Sequence, residues 1–195
     1  MRRILVLMTV LALPACALFS KGEVVTRRYF SPDLPASLSQ APRRADLEVR
    51  LGRVSSNRII SERIMWRDSE HEVGFYDDRV WTERPEAYLR RGLTRVLFEE
   101  LGLRSIVGGP GRTLDVELLK FEEVKAPAHV ARVRIAFSLS DERTVSLQQT
   151  LLFDRPIPPV GSAEQEGPAV AAAMGEALRD AITELSSQVI AEISR

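Results

Sequence analysis

Cysteine occurs once in the 195 residues, at Cys16, and histidine only twice, at His71 and His129. A single cysteine excludes an intramolecular disulfide, and two histidines outside any H-E-x-x-H spacing leave too few ligands for a zinc site. No stretch reaches the roughly eighteen consecutive apolar residues of a membrane-spanning helix. A surplus of one charge is missing too, since 27 Lys and Arg stand against 27 Asp and Glu. Nucleic-acid binders carry a basic excess or stripe, and the pairs Arg43-Arg44 and Arg90-Arg91 are diluted by neighbouring acids, so no nucleic-acid partner is expected. There is no G-x-S-x-G elbow: Gly161-Ser162 lies in a proline-rich loop and lacks the second glycine. Gly108-Gly109-Pro110-Gly111 lacks the Lys and Ser/Thr of a phosphate loop and reads as a turn between strands. Asp77, Asp78 and Glu83 have no second catalytic feature beside them and read as solvated turn residues and a helix start. The expectation is a protein that is not an enzyme and holds no cofactor or metal.

What is present is enough apolar sequence, 45%, to bury one sizeable core. The first sixteen residues, MRRILVLMTVLALPAC, combine a basic start, an apolar run from Ile4 to Ala12 and small residues before Cys16, which is the pattern of a bacterial export signal. Leu13-Pro14-Ala15-Cys16 resembles a lipobox, in which cleavage leaves an acylated cysteine as the first mature residue; Pro14 departs from the usual Ala or Ser. The alternative is Ala15-Cys16-Ala17 as an ordinary A-x-A cleavage site. The lipobox accounts for the one cysteine and its position, so residues 1–15 are expected to be a signal peptide and 16–26 a lipidated N-terminus and tether, followed by a single domain over 27–195. Removing the leader leaves 25 basic against 27 acidic residues. Acyl chains on Cys16 would anchor the protein to a membrane without spanning it, at about 0.8 kcal/mol per buried CH₂. Ala17, where an inner-membrane lipoprotein of the enteric type often carries Asp, leans the expectation to the outer membrane, facing the periplasm.

Within the domain, Arg27-Arg28-Tyr29-Phe30 reads as a first strand, and residues 31–44, with Pro32, Pro35 and Pro42, as a loop. Asp46 to Val54 alternates as a half-buried strand, and Arg63 to Arg67 with Glu72 to Tyr76 reads as a hairpin. A helix follows Trp81, with Thr82 expected as N-cap, Pro85 and Glu86 in the first turn and Gly102 as its stop. Leu89, Leu93, Val96, Leu97 and Leu101 form its core stripe, and Phe98 falls off it. Ser105-Ile106-Val107 reads as a short strand. Three alternating segments then form a meander: Leu114 to Phe121 with a bulge near Leu118, Val133 to Leu139, and Val145 to Phe153. Pro168 is expected to open a second helix whose stripe runs Val170, Met174, Leu178, Ile182, Leu185, Val189 and Ile193. The fold class expected is α+β, a two-layer sandwich of a mainly antiparallel sheet with two amphipathic helices on one face.

The segment Tyr76-Asp77-Asp78-Arg79-Val80-Trp81-Thr82-Glu83-Arg84-Pro85, entering a helix, resembles the ABC-type transport auxiliary lipoprotein family, whose familiar members are the paraquat-inducible protein C lipoproteins. The likeness extends over the lipobox, the strands, the aromatic-Trp-Pro helix entry, the meander and the C-terminal helix; Arg84 departs from a smaller residue before the proline. It implies a membrane-anchored periplasmic subunit of an intermembrane lipid-transport system, working beside ABC transporter subunits and a protein of the mammalian cell entry type. Trp66, Tyr76, Trp81 and Phe98 are the partner-binding candidates, since aromatics dominate cores but also anchor interfaces. A structural or assembly lipoprotein of the envelope is the alternative. Homo-oligomerisation is left open.

Overall fold

The computed structural model describes residues 25–32 and 44–195. The expected leader, Cys16, tether residues 17–24 and the prolines at 35 and 42 lie outside the described residues. The elements are β1 (Arg28–Phe30), β2 (Arg44–Ser56), β3 (Arg63–Arg67), β4 (Val73–Trp81), α1 (Pro85–Thr94) continuing as a π-helical stretch (Arg95–Glu100), β5 (Leu103–Ser105), β6 (Thr113–Val124), β7 (Val130–Ser140), β8 (Val145–Pro156) and α2 (Ala163–Ile193). The strands form one eight-stranded open sheet with the helices packed on one face, an α+β fold. Its longest ladders, β6 with β7 and β7 with β8, are antiparallel, as is the β3–β4 hairpin. The junctions β1–β4, β2–β5, β2–β6 and β3–β6 are parallel.

Alternation places one side of the meander in the core. Leu114, Val116 and Leu118 of β6 and Val133, Ile135, Phe137 and Leu139 of β7 are buried beneath Val170, Met174, Leu178, Ile182, Leu185 and Val189 of α2. Each such side chain contributes roughly 1.5–3 kcal/mol on burial. The expected bulge is present as a register shift between Leu118 and Lys120. It moves the core-facing phase to Phe121, which lies opposite Val133. Gly92 of α1 lies so close to α2 that a side chain there would strike Ile182.

The strand-to-helix joint departs from expectation in one respect. Arg84, in extended conformation, is the N-cap of α1 and makes no capping bond through its side chain. Thr82 instead lies with its hydroxyl 2.7 Å from that of Tyr88, which also accepts the Glu83 N–H at 2.9 Å. The buried phenol thus satisfies, from inside the helix, the Glu83 N–H just before the N-cap. Pro85 takes the first helical position, and Gly102, at φ 71, turns the chain out of the last helical turn. Between them the α-helix widens over Arg95–Glu100, where the Leu101 N–H reaches the Val96 carbonyl at 2.9 Å. This wider winding brings position i+5 towards the face of i, so Phe98, off the stripe of an ideal α-helix, is half-buried against the core.

Two other boundaries are corrected. The short strand after the helix is Leu103–Ser105, and Val107 is exposed, because pairing beside β2 stops at Ser105. Helix α2 begins at Ala163, not Pro168, with Ser162 as its N-cap. Pro168 sits inside it and has no N–H to donate to the Glu164 carbonyl four residues earlier. That carbonyl accepts from the Arg28 guanidinium at 2.7 Å, so a side chain from β1 replaces the lost helical bond. Neighbouring Gly167 leaves room for the Phe30 ring of the same strand. Trp81→Ala is expected to destabilise the fold by about 3–5 kcal/mol in denaturant unfolding. Tyr88→Phe, which deletes only the hydroxyl under the joint, should cost about 1–3 kcal/mol.

Candidate functional site

Glu122 and Glu123 are adjacent in β6, so alternation sends them to opposite faces of the sheet, and both are 0% exposed. A buried carboxylate is costly unless it is paired and hydrogen-bonded. On the open face Glu122 is held by the Arg67 fork, with contacts of 2.9 and 3.2 Å, and by Lys120 at 3.4 Å. Arg67 also donates to the Glu70 carbonyl at 3.0 Å, tying the β3–β4 turn to the centre of the sheet. Arg132, opposite Glu122 on β7, forks onto Asp154 of β8 at 2.8 and 2.7 Å. These charges form a lattice across four strands.

On the helix-bearing face Glu123 lies beyond the start of α2. Tyr76 donates its hydroxyl to one carboxylate oxygen at 2.9 Å, and His129 Nε2 lies 2.7 Å from the other. The Arg79 guanidinium stands 4.1 Å from the Tyr76 ring centroid and is ion-paired with Glu166 of α2. Lys125 Nζ lies 4.7 Å from the Trp66 ring centre and 5.1 Å from that of Tyr76. Trp66 lies over Gly74, where any side chain would collide with its ring. The result is a patch of two half-buried aromatics and one exposed lysine, backed by a buried carboxylate. Burial first, and then the Glu123 carboxylate beside it, push the Tyr76 phenol above its ordinary value of 10.0.

Of the aromatics expected to meet a partner, the structure brings Trp66 and Tyr76 together and separates the other two from them. Trp81 is corrected to a core residue: it is 1% exposed and packs edge-on against Phe121 at 5.3 Å. Its bulk is needed where β4 turns into α1, which leaves no surface for a partner. Phe98 is packed against the core beside α2. Glu123 and Lys125 are not among the residues that the sequence singles out, and His129, weighed there only as a zinc ligand, instead lies against Glu123. The signal for Glu123 was present, since two consecutive acids inside an alternating strand cannot both face water. With its two oxygens taken by Tyr76 and His129, Glu123 closes a hydrogen-bond chain that contains no serine or cysteine nucleophile. No group of three or more metal-ligating side chains occurs among the described residues.

A second concavity, of about 660 Å³, lies between α1 and α2 over Gly92, Leu178 and Ile182. Its rim is basic, with Arg179 exposed and three guanidiniums serving local structure: Arg90 donates to the Gly52 carbonyl at 3.2 Å, Arg91 to Glu83 at 3.1 Å, and Arg95 pairs with Glu100 at 3.2 Å. No described helix is long and apolar enough to cross a membrane.

The phenol provides a pH test. Its folded pKa lies above the unfolded one, so its stabilising contribution is complete below pH 10 and is lost as pH rises from there through the folded value. Unfolding free energies measured above pH 10 should therefore fall more steeply for the unaltered chain than for Tyr76→Phe. Equal slopes would contradict this account of the cluster.

A family model described as "ABC-type transport auxiliary lipoprotein component" matches residues 30–189. Three solved structures have similar folds. A Xanthomonas campestris protein of the DUF330 family is 21% identical, with a TM-score of 0.71 over 85% of this chain and 95% of that one. A protein described as uncharacterized is 12% identical, with a TM-score of 0.62 over 84% and 99%. A hypothetical protein from Chlamydia trachomatis is 12% identical, with a TM-score of 0.51 over 75% and 99%. At these identities the likeness concerns the fold alone. No curated protein matches the chain.

Proposed function

We propose that this chain, which belongs to the ABC-type transport auxiliary lipoprotein family, is a non-enzymatic, membrane-anchored periplasmic subunit of an intermembrane lipid-transport system. The observation that carries the reading is the family match over nearly the whole domain, residues 30–189. The export signal ending at Cys16 supports it independently, because an auxiliary subunit of an envelope transporter has to be exported and held at a membrane. In this reading 27–195 is the working domain and acyl chains on Cys16 are the anchor, at the outer membrane. Extended, residues 17–26 reach at most about 35 Å, at 3.3–3.6 Å per residue, so the domain works close to its membrane.

The mechanism is docking. The anchor holds the domain at one membrane while a surface engages a transporter component of the mammalian cell entry type that reaches the other. The Trp66–Tyr76–Lys125 patch is suited to this, because rigid half-buried aromatics lose little conformational freedom on binding and a lysine beside them adds charge selectivity. Glu123 and His129 hold Tyr76 from below, so the patch is set before the partner arrives.

Crosslinked pull-down from envelopes is expected to recover a permease, an ATPase or a mammalian-cell-entry-domain protein. Recovery of envelope structural proteins without any of these would replace the reading with that of an assembly lipoprotein. In a reconstituted pair, Trp66→Ala should weaken docking by about 2 kcal/mol or more at a temperature where circular dichroism shows the variant folded. Cys16→Ala should release the domain into the soluble fraction together with loss of labelled-palmitate incorporation. Membrane association that persists without the label would refute the anchor.

A further inference from the structure

Strand β8 pairs on one side with β7 through eleven Cα partners, and among the described residues no strand pairs with its other side. Exposed edges of this length are templates for pairing with another chain, and proteins blunt them with Lys, Pro, inward charges or bulges. No Lys, Pro or inward charge occupies Val145 to Phe153, an uncharged run of nine residues, VSLQQTLLF, in a chain that is 28% charged, and the irregularity of register against β7 lies at its start, at Ser146. The charges that follow are already engaged, Asp154 by Arg132 and Arg155 by Asp180. At the other end Asp141 accepts the Arg143 and Thr144 N–H groups, each at 2.8 Å, which holds the turn that starts the strand. From Leu147 to Phe153 the edge is thus regular, uncharged and held at both ends.

We infer that β8 is a homodimer interface at which two copies of this chain pair their β8 strands antiparallel across a two-fold axis at Gln149. The strand itself selects this occupant. Among the described residues the other outer strands, β1 and β5, are three residues each, too short to offer a matching edge. A second β8 offers one of equal length. Directly opposed residues of an antiparallel pair share a face. Centring the axis on Gln149 sets Leu147 of each copy against Leu151 of the other on the helix-bearing face. It also sets Gln148 against Thr150 on the open face. Leu147 and Leu151 are half-buried, and each gains a neighbour from the other copy. Every such pairing is made twice, as an isologous interface requires. The axis lies normal to the sheet, so both copies turn the same face to the same side and the two sheets become one. This inference is independent of the proposed function.

The test is sedimentation velocity of the full-length protein in density-matched mild detergent. The unaltered chain is expected to be a dimer. Gln149 is exposed, so Gln149→Lys leaves the fold intact, as circular dichroism will check, while setting two like charges opposite each other at the axis. Gln149→Glu does the same with the sign reversed. Each variant alone should show a dimer dissociation constant raised at least tenfold, and an equimolar mixture should recover the dimer as the Lys/Glu heterodimer. A monomeric unaltered chain overturns the proposal, and that is the outcome expected if a strand of another protein occupies this edge. A dimer unmoved by Gln149→Lys, or a mixture that stays monomeric, also overturns it.

Discussion

The structure depends on β6 and on its division between two partners. One side of β6 pairs with β7 throughout, while the other side takes β2 up to Leu118 and then β3 from Glu122. Two strands that follow each other in sequence therefore lie end to end along a single neighbour, both parallel to it. The chain leaves β2, returns the Asn57 N–H to the Leu118 carbonyl at 2.8 Å, and re-enters the sheet as β3. The register shift between Leu118 and Lys120 falls at this changeover. A one-residue shift exchanges the faces of everything beyond it, so Phe121 and Glu123 turn towards the helices and Glu122 towards the open face.

That exchange produces the polar cluster. Glu123 arrives on the apolar side of the sheet, beyond the cover of α2, and its charge is accommodated by Tyr76, His129 and the cations around the Tyr76 ring. The same end of the sheet receives β1, whose Arg28 completes the hydrogen bonding of α2 at Glu164 and whose Phe30 packs over Gly167. The N-terminal strand, where the proposed tether enters the domain, is thus bound to the first turns of the C-terminal helix. The N-terminal strand, the aromatic patch and the start of α2 thus share one region of the sheet.

The helix-covered face and the opposite edge of the sheet divide the remaining tasks. The α1–α2 cleft is basic, and two of its arginines tie the helix to its surroundings, Arg90 to the strand at Gly52 and Arg91 to the loop at Glu83. The edge at β8 is the long boundary of the sheet without charge or proline along its centre. Patch and edge lie on different strands, so docking and self-association need not compete for residues.

Much of this was legible in the residues themselves, because it rests on periodicity. Alternation identified the meander, the bulge near Leu118 was visible as a phase change, and the 3–4 spacing of both helices named the side chains that are buried. Local chemistry placed Pro85 and Gly102 at the helix ends. What the residues alone left undecided involved partners distant in sequence. Whether Trp81 faces a partner or Phe121, why α2 tolerates Pro168, and how two adjacent glutamates are both buried on opposite faces all depend on contacts between segments dozens of residues apart. Phe98 shows the limit within one element, since its direction follows from a π-helical turn that an α-helical projection does not contain. Periodicity records which face of an element is apolar, because each residue carries that information itself. Which element covers that face, and what pairs with a buried charge, is decided only when the chain closes on itself.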